Sequence, residues 1–151
     1  MTLPQRRKML LFYFSISLAI AASALYHFTQ KQIPAGVNPA VSVIVTYVVS
    51  LVLCLVLLAV MWPAHGVVSA LRDLNWASYV LALSLVGLEV GFLLVYRSGW
   101  NLGIAAVLVN VVASLILVPI AILIFHERLS VINIAGILVS LAGLVLLNWG
   151  R

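Results

Sequence analysis

The chain has 151 residues, of which 66% are hydrophobic and 7% charged, with a formal net charge of +5. Soluble domains carry roughly a quarter charged residues, so this composition excludes a soluble globular fold, which could neither hide so much apolar surface nor stay dispersed. The positive balance does not point to nucleic acid, because the basic residues sit at the ends of apolar runs and not in a patch interleaved with aromatics.

Five apolar runs follow in chain order, at about 9–28, 40–62, 76–96, 102–125 and 131–149. Each approaches or exceeds the roughly 20 helical residues that span the hydrocarbon core of a bilayer. Lipid offers the backbone no hydrogen-bond partner, so each run is read as a helix. Transmembrane strands would be half as long and would alternate with polar residues. The expected fold class is therefore all-α, an integral membrane bundle of five transmembrane helices in a single domain, 1–151.

The first run follows Arg6-Arg7-Lys8 and is long enough to be retained as a helix, although Ala22-Ser23-Ala24 has the form of a signal cleavage site. Its small and polar face carries Ser15, Ala19, Ala22, Ser23 and Tyr26. The connection Thr29–Pro39 holds Pro34, Gly36 and Asn38-Pro39, a turn followed by a helix start. The second run spaces Ser42, Thr46, Ser50 and Cys54 four apart. Cys54, the single cysteine, belongs to no metal-ligand spacing and reads as a small apolar packing residue. Pro63–Asn75 is expected to be a loop.

The third run carries Glu89 at its centre. At 100° per residue the carboxylate lies about 140–160° from a small-residue stripe of Ser84, Gly87 and Gly91, on the side of Phe92, Leu93 and Tyr96. A charge at mid-membrane costs several kcal/mol, about 2.5–3.5 for Asp by insertion measurements, so Glu89 is expected to face the protein interior or a wet cavity. Arg97 is eight residues away, about 12 Å by helical rise, and is not a direct partner. Two readings stay open: Glu89 binds a cationic substrate or carries a proton, or it is a protonated acid bonded to a neighbouring helix, for example through Asn110 or a serine. Tyr96 and Asn110 are the candidate helpers.

The fourth run holds Asn110 and a late Pro119, where a kink is expected. The short turn His126–Ser130 follows, with Ser130 placed to cap the last helix. In that helix Gly136, Ser140 and Gly143 form a small-residue stripe. Lipid gives helices little hydrophobic reason to associate, so Gly87, Gly91, Gly136, Ser140 and Gly143 are expected packing positions. His27, His65 and His126 are not spaced as metal ligands, no cofactor is implied, and no constellation for an enzyme can be assembled. Trp62, Trp76, Trp100 and Trp149 sit at run ends, where indoles favour the membrane interface.

The segment from Asn101 to Asn148 resembles the closing part of an EamA-type repeat of the drug/metabolite transporter superfamily. The resemblance rests on Pro119, on Glu127-Arg128-Leu129, on Ile134-Ala135-Gly136 with Gly143, and on the preceding Tyr96-Arg97. Many members have glycine where this chain has His126. The resemblance implies one repeat of a ten-helix inverted-repeat architecture, in which two five-helix halves enclose a cavity exposed alternately to each side. A single repeat would need a homodimer, or a heterodimer with a similar five-helix protein, to complete it. The essential acid of the four-helix small multidrug-resistance branch lies in its first helix and is not carried over to Glu89.

The expected function is transport of a small organic solute or metabolite, by secondary transport in an oligomer. The alternatives are a non-transporting membrane subunit assembled on a larger partner, or a lipid flippase. Basic residues place Arg6, Arg7, Lys8, Arg72 and Arg128 inside and Lys31, Arg97 and Arg151 outside, so the N-terminus is expected in the cytoplasm and the chain in the inner, or plasma, membrane.

Overall fold

The computed structural model describes residues 3–149 and is all-helical. Its order is α1 (Leu3–Gln32), α2 (Pro39–Val60), α3 (Val67–Arg72), α4 (Trp76–Arg97), α5 (Leu102–Leu123) and α6 (Val131–Trp149). Among the described residues four helices are long and apolar enough to cross a membrane: Gln5–Gln32, Pro39–Val60, Trp76–Arg97 and Leu102–Leu123. The apolar part of α6, Val131–Leu147, is shorter. Arg151, counted above among the outer basic residues, lies outside the described residues.

Short polar signals set the helix boundaries. Asn38, Asn75 and Asn101 cap α2, α4 and α5, their side-chain oxygens accepting from the N–H groups of Ala40, Ala77 and Gly103 at 2.9, 3.0 and 3.1 Å. Pro39 occupies the first turn of α2, where its missing N–H costs nothing. Ser130 Oγ accepts from Asn133 N at 3.2 Å and caps α6 as expected. Two departures from the sequence reading have local causes. No breaker lies between Gln5 and Gln32, so α1 runs four residues past Phe28 and stops at Ile33, the residue before Pro34. Val67–Arg72, read as loop, forms one short helix entered through Gly66, whose φ of +79° suits glycine.

The chain divides into two compact units, Met1–Ser98 and Gly99–Arg151. In the first, α4 packs against both α1 and α2. The C-terminal ends of α1 and α4 meet, so these two helices run parallel, with α2 antiparallel to both. The buried residues of this unit are Gln30, Val43, Phe92, Leu93 and Tyr96, all towards that shared end. In the opposite half, residues 5–25 of α1 and 76–88 of α4 are exposed along their length. Such outward apolar surface is what a lipid solvent tolerates.

The second unit is the antiparallel pair α5 and α6. Pro119 lies inside α5, which continues for four residues beyond it. Past the end of α5, His126 adopts φ +53°, the left-handed region that few side-chain-bearing residues enter. The next residue, Glu127, donates its N–H back to Ala121 O at 3.0 Å.

Candidate functional site

Helix α4 presents Glu89, Phe92, Leu93 and Tyr96 on one face, at the three- and four-residue spacing that keeps side chains in line. Phe92, Leu93 and Tyr96 are buried and Glu89 is half-buried. The opposing surface comes from the last turns of α1. Gln30 is only 4% exposed, and its Nε2 donates to the Glu89 carbonyl oxygen at 2.8 Å. This bond crosses between helices to a carbonyl already inside the α4 ladder. One turn earlier on α1, His27 Nδ1 and Tyr96 Oη share a hydrogen bond of 3.0 Å. The two bonds together fix the register of α1 against α4.

Aromatic rings fill the space between. Tyr26 and His27 meet Phe92 edge-on, with centroids 5.9 and 4.6 Å away, and Phe92 stacks on Tyr96 at 5.8 Å. These are the offset and edge-to-face geometries that ring quadrupoles favour. The Tyr26 hydroxyl lies against the Glu89 carboxyl, and Tyr47 of α2 is near enough to feel its charge. Both hydroxyls are buried, and neither makes a hydrogen bond of sound geometry among the described residues. Glu89 thus stands half-buried beside the hydroxyls of Tyr26 and Tyr47, one turn before the stacked rings of Phe92 and Tyr96.

The sequence placed Glu89 and Tyr96 on one face, and the structure puts them there. Asn110 belongs to the second unit, where it is exposed and lines an open groove of about 590 Å³ between α5 and α6, with Ser114, Asn133, Gly136 and Ser140. The hydroxyls of Thr46, Ser84, Ser114 and Ser140 each donate to the carbonyl four residues back, at 2.7–3.1 Å, and so are satisfied within their own helices. A Cβ added at Gly87, Gly91, Gly136 or Gly143 would meet nothing within 4 Å, so these glycines do not mark close helix–helix approaches among the described residues.

Gln30, His27 and Tyr47 are the site residues that sequence reasoning missed. The first two lay at the edge of a run judged to end at Phe28. The signal that would have found them is the absence of any helix breaker before Pro34. Arg97 turns from Glu89, its Nη2 donating to Val37 O at 2.7 Å and to Pro34 O at 3.3 Å, and so ties the α1–α2 connection to the end of α4. Among the described residues no group of three or more His, Cys, Asp or Glu gathers to hold a metal ion.

A small all-helical chain with four long apolar helices, indole rings at helix ends and a half-buried acid in one of them has the make-up of a multi-pass membrane protein. Compared with known protein families, with curated proteins and with solved structures, the chain matches none.

Proposed function

We propose that this protein is a half-size secondary transporter of a small organic solute, with α6 as its fifth crossing and Glu89 as the group that binds a cationic solute or a proton. The observation that carries the reading is the setting of Glu89. A half-buried carboxyl near the middle of a membrane span is held beside two buried hydroxyls, that of Tyr26, which lies against it, and that of Tyr47, which makes no hydrogen bond of sound geometry among the described residues. Buried polar groups are nearly always paired, and an intramembrane acid is by default a functional group. Spare donors around an acid are what a polar ligand needs on entering an apolar medium.

The 19 residues of α6 extend about 28 Å at 1.5 Å per residue, close to the thickness of the hydrocarbon core. Five crossings agree with the resemblance to an EamA-type repeat, and they call for a second copy or a similar five-helix partner to enclose a path. The reading includes a plasma-membrane location with a cytoplasmic N-terminus.

Glu89→Gln tests it. The variant should insert, fold and purify as the wild type does, yet lose uptake of monovalent organic cations, with tetraphenylphosphonium and simple amines as probes, in proteoliposomes under an imposed pH gradient. Undiminished uptake with an unchanged pH profile would refute the role of Glu89. The open glycine positions on α4 and α6 favour a second reading, a membrane subunit that packs on a larger partner. Persistent copurification with one other protein, and no uptake by the isolated chain, would establish that reading instead.

A further inference from the structure

Gln30, in the last turn of α1, is only 4% exposed, and the reading of Glu89 as a binding group leaves it without a task. A buried amide in an apolar medium has to be paired. To clamp two helices together, though, it needs only some carbonyl of the other helix. Gln30 is spent on the acid's own residue. Its Nε2 donates to the Glu89 carbonyl oxygen at 2.8 Å, and the amide also lies within reach of the Glu89 carboxyl, as does the Tyr26 hydroxyl.

Helix geometry accounts for the arrangement. Tyr26 and Gln30 are four residues apart, so they stand in line on one face of α1, one turn from each other. In α4 the Glu89 carbonyl points towards the C-terminus while its side chain leans towards the N-terminus. Gln30 therefore grips the main chain of Glu89, and Tyr26, one turn earlier, faces its side chain. Nε2 carries two protons, of which the carbonyl takes one, and the other is left for the carboxyl. A primary amide suits both states of the acid. It donates to a carboxylate, and to the carbonyl oxygen of a protonated carboxyl, while its own oxygen can accept the acid's proton. Ordering a long, half-buried side chain in advance removes a cost that an incoming ligand would otherwise meet.

We propose that Gln30 is the positioning residue of this site: anchored on the main chain of Glu89, its amide holds the Glu89 carboxyl in one orientation beside the Tyr26 hydroxyl. The proposal rests, for its consequence, on the reading of Glu89 as the group that meets the solute. Its test reads the carboxyl directly and requires no transport.

Infrared spectroscopy supplies that test, because the C=O stretch of a protonated carboxyl falls in frequency when a donor binds its oxygen. The full chain is used in dodecyl maltoside, which has no carbonyl group, acidified until Glu89 is protonated. Subtracting the spectrum of Glu89→Gln separates the Glu89 band from those of Asp73, Glu127 and the C-terminus. In the wild type the band is expected at the lowered frequency of a hydrogen-bonded carboxyl. Gln30→Met, which keeps the length and loses the donor, should shift it upward and broaden it. Gln30→Asn, one methylene shorter, should do the same, and decides the matter if Gln30→Met fails to fold. Arg97→Gln unties the same helix ends at Val37 and Pro34 and should leave the band in place. A bond that only clamped α1 to α4 would behave otherwise. Gln30→Met would then lower the thermal unfolding midpoint, as Arg97→Gln does, and leave the band unmoved, which overturns the proposal. So does a wild-type band at the frequency of an unbonded carboxyl, or an equal upward shift in Arg97→Gln. A shifted band in Gln30→Met, with no uptake by the wild type in proteoliposomes, upholds the placement of Gln30 and refutes transport, so the two failures are told apart.

Discussion

His126 holds a backbone conformation that suits glycine better than any other residue. Its φ of +53° places the Cβ against its own carbonyl, at a cost of about 1 kcal/mol. Replacing it with glycine removes that clash and adds some freedom to the unfolded chain. His126→Gly should therefore stabilise the protein by about 0.5 kcal/mol, read as a higher midpoint in a dodecyl sulfate titration. A lower midpoint would mean that the imidazole makes a contact worth more than the strain. Tyr96 gives a contrasting case. Its hydroxyl shares a bond with His27, so Tyr96→Phe leaves Nδ1 unpaired inside the α1–α4 contact. Interhelical hydrogen bonds in membranes average about 0.6 kcal/mol, and the same titration should register a loss of about that size. Of the site, Glu89 was legible because a lone acid in an apolar run is conspicuous. Gln30 was not, because a polar residue near a run's edge looks like the start of a loop.

At the scale of elements, composition and run length were enough to locate the long helices, because lipid leaves the backbone no alternative. Their ends were less legible. Asn75 was read only as the end of a loop and Asn101 was given no role in a helix start, yet each closes its side chain onto the first turn of a helix. Asn75→Ala should cost about 1 kcal/mol and fray the start of α4. Amide hydrogen exchange would detect this as faster exchange at Ala77 and Ser78 with little change at Phe92. Uniform acceleration along α4 would instead mean that the cap supports the whole helix. The stripes of small residues were legible as patterns but not as contacts. Periodicity names a face of a helix, and says nothing of what lies against it.

For the molecule as a whole, helix parity is the property that most constrains its mechanism. With α6 as a fifth crossing, the two termini lie on opposite sides of the membrane. Reporter fusions active on one side only should then give opposite results at the N- and C-terminus, with the N-terminus cytoplasmic. Matching results would leave four crossings and place α6 along the surface. The sequence was read as five crossings; the structure gives four helices long and apolar enough to span among the described residues, with the apolar part of α6 shorter, because its 19 residues lie at the lower edge of what spans.

The first unit is fastened at one end and loose at the other. Gln30, His27, Tyr96 and the Arg97 tie to Pro34 and Val37 all lie where α1 and α4 finish, while among the described residues the far halves of those helices hold no buried side chain. Helix ends with so little buried between them have the least packing to resist separation, so local opening is expected to begin there and to show as faster amide exchange than at the Arg97 end.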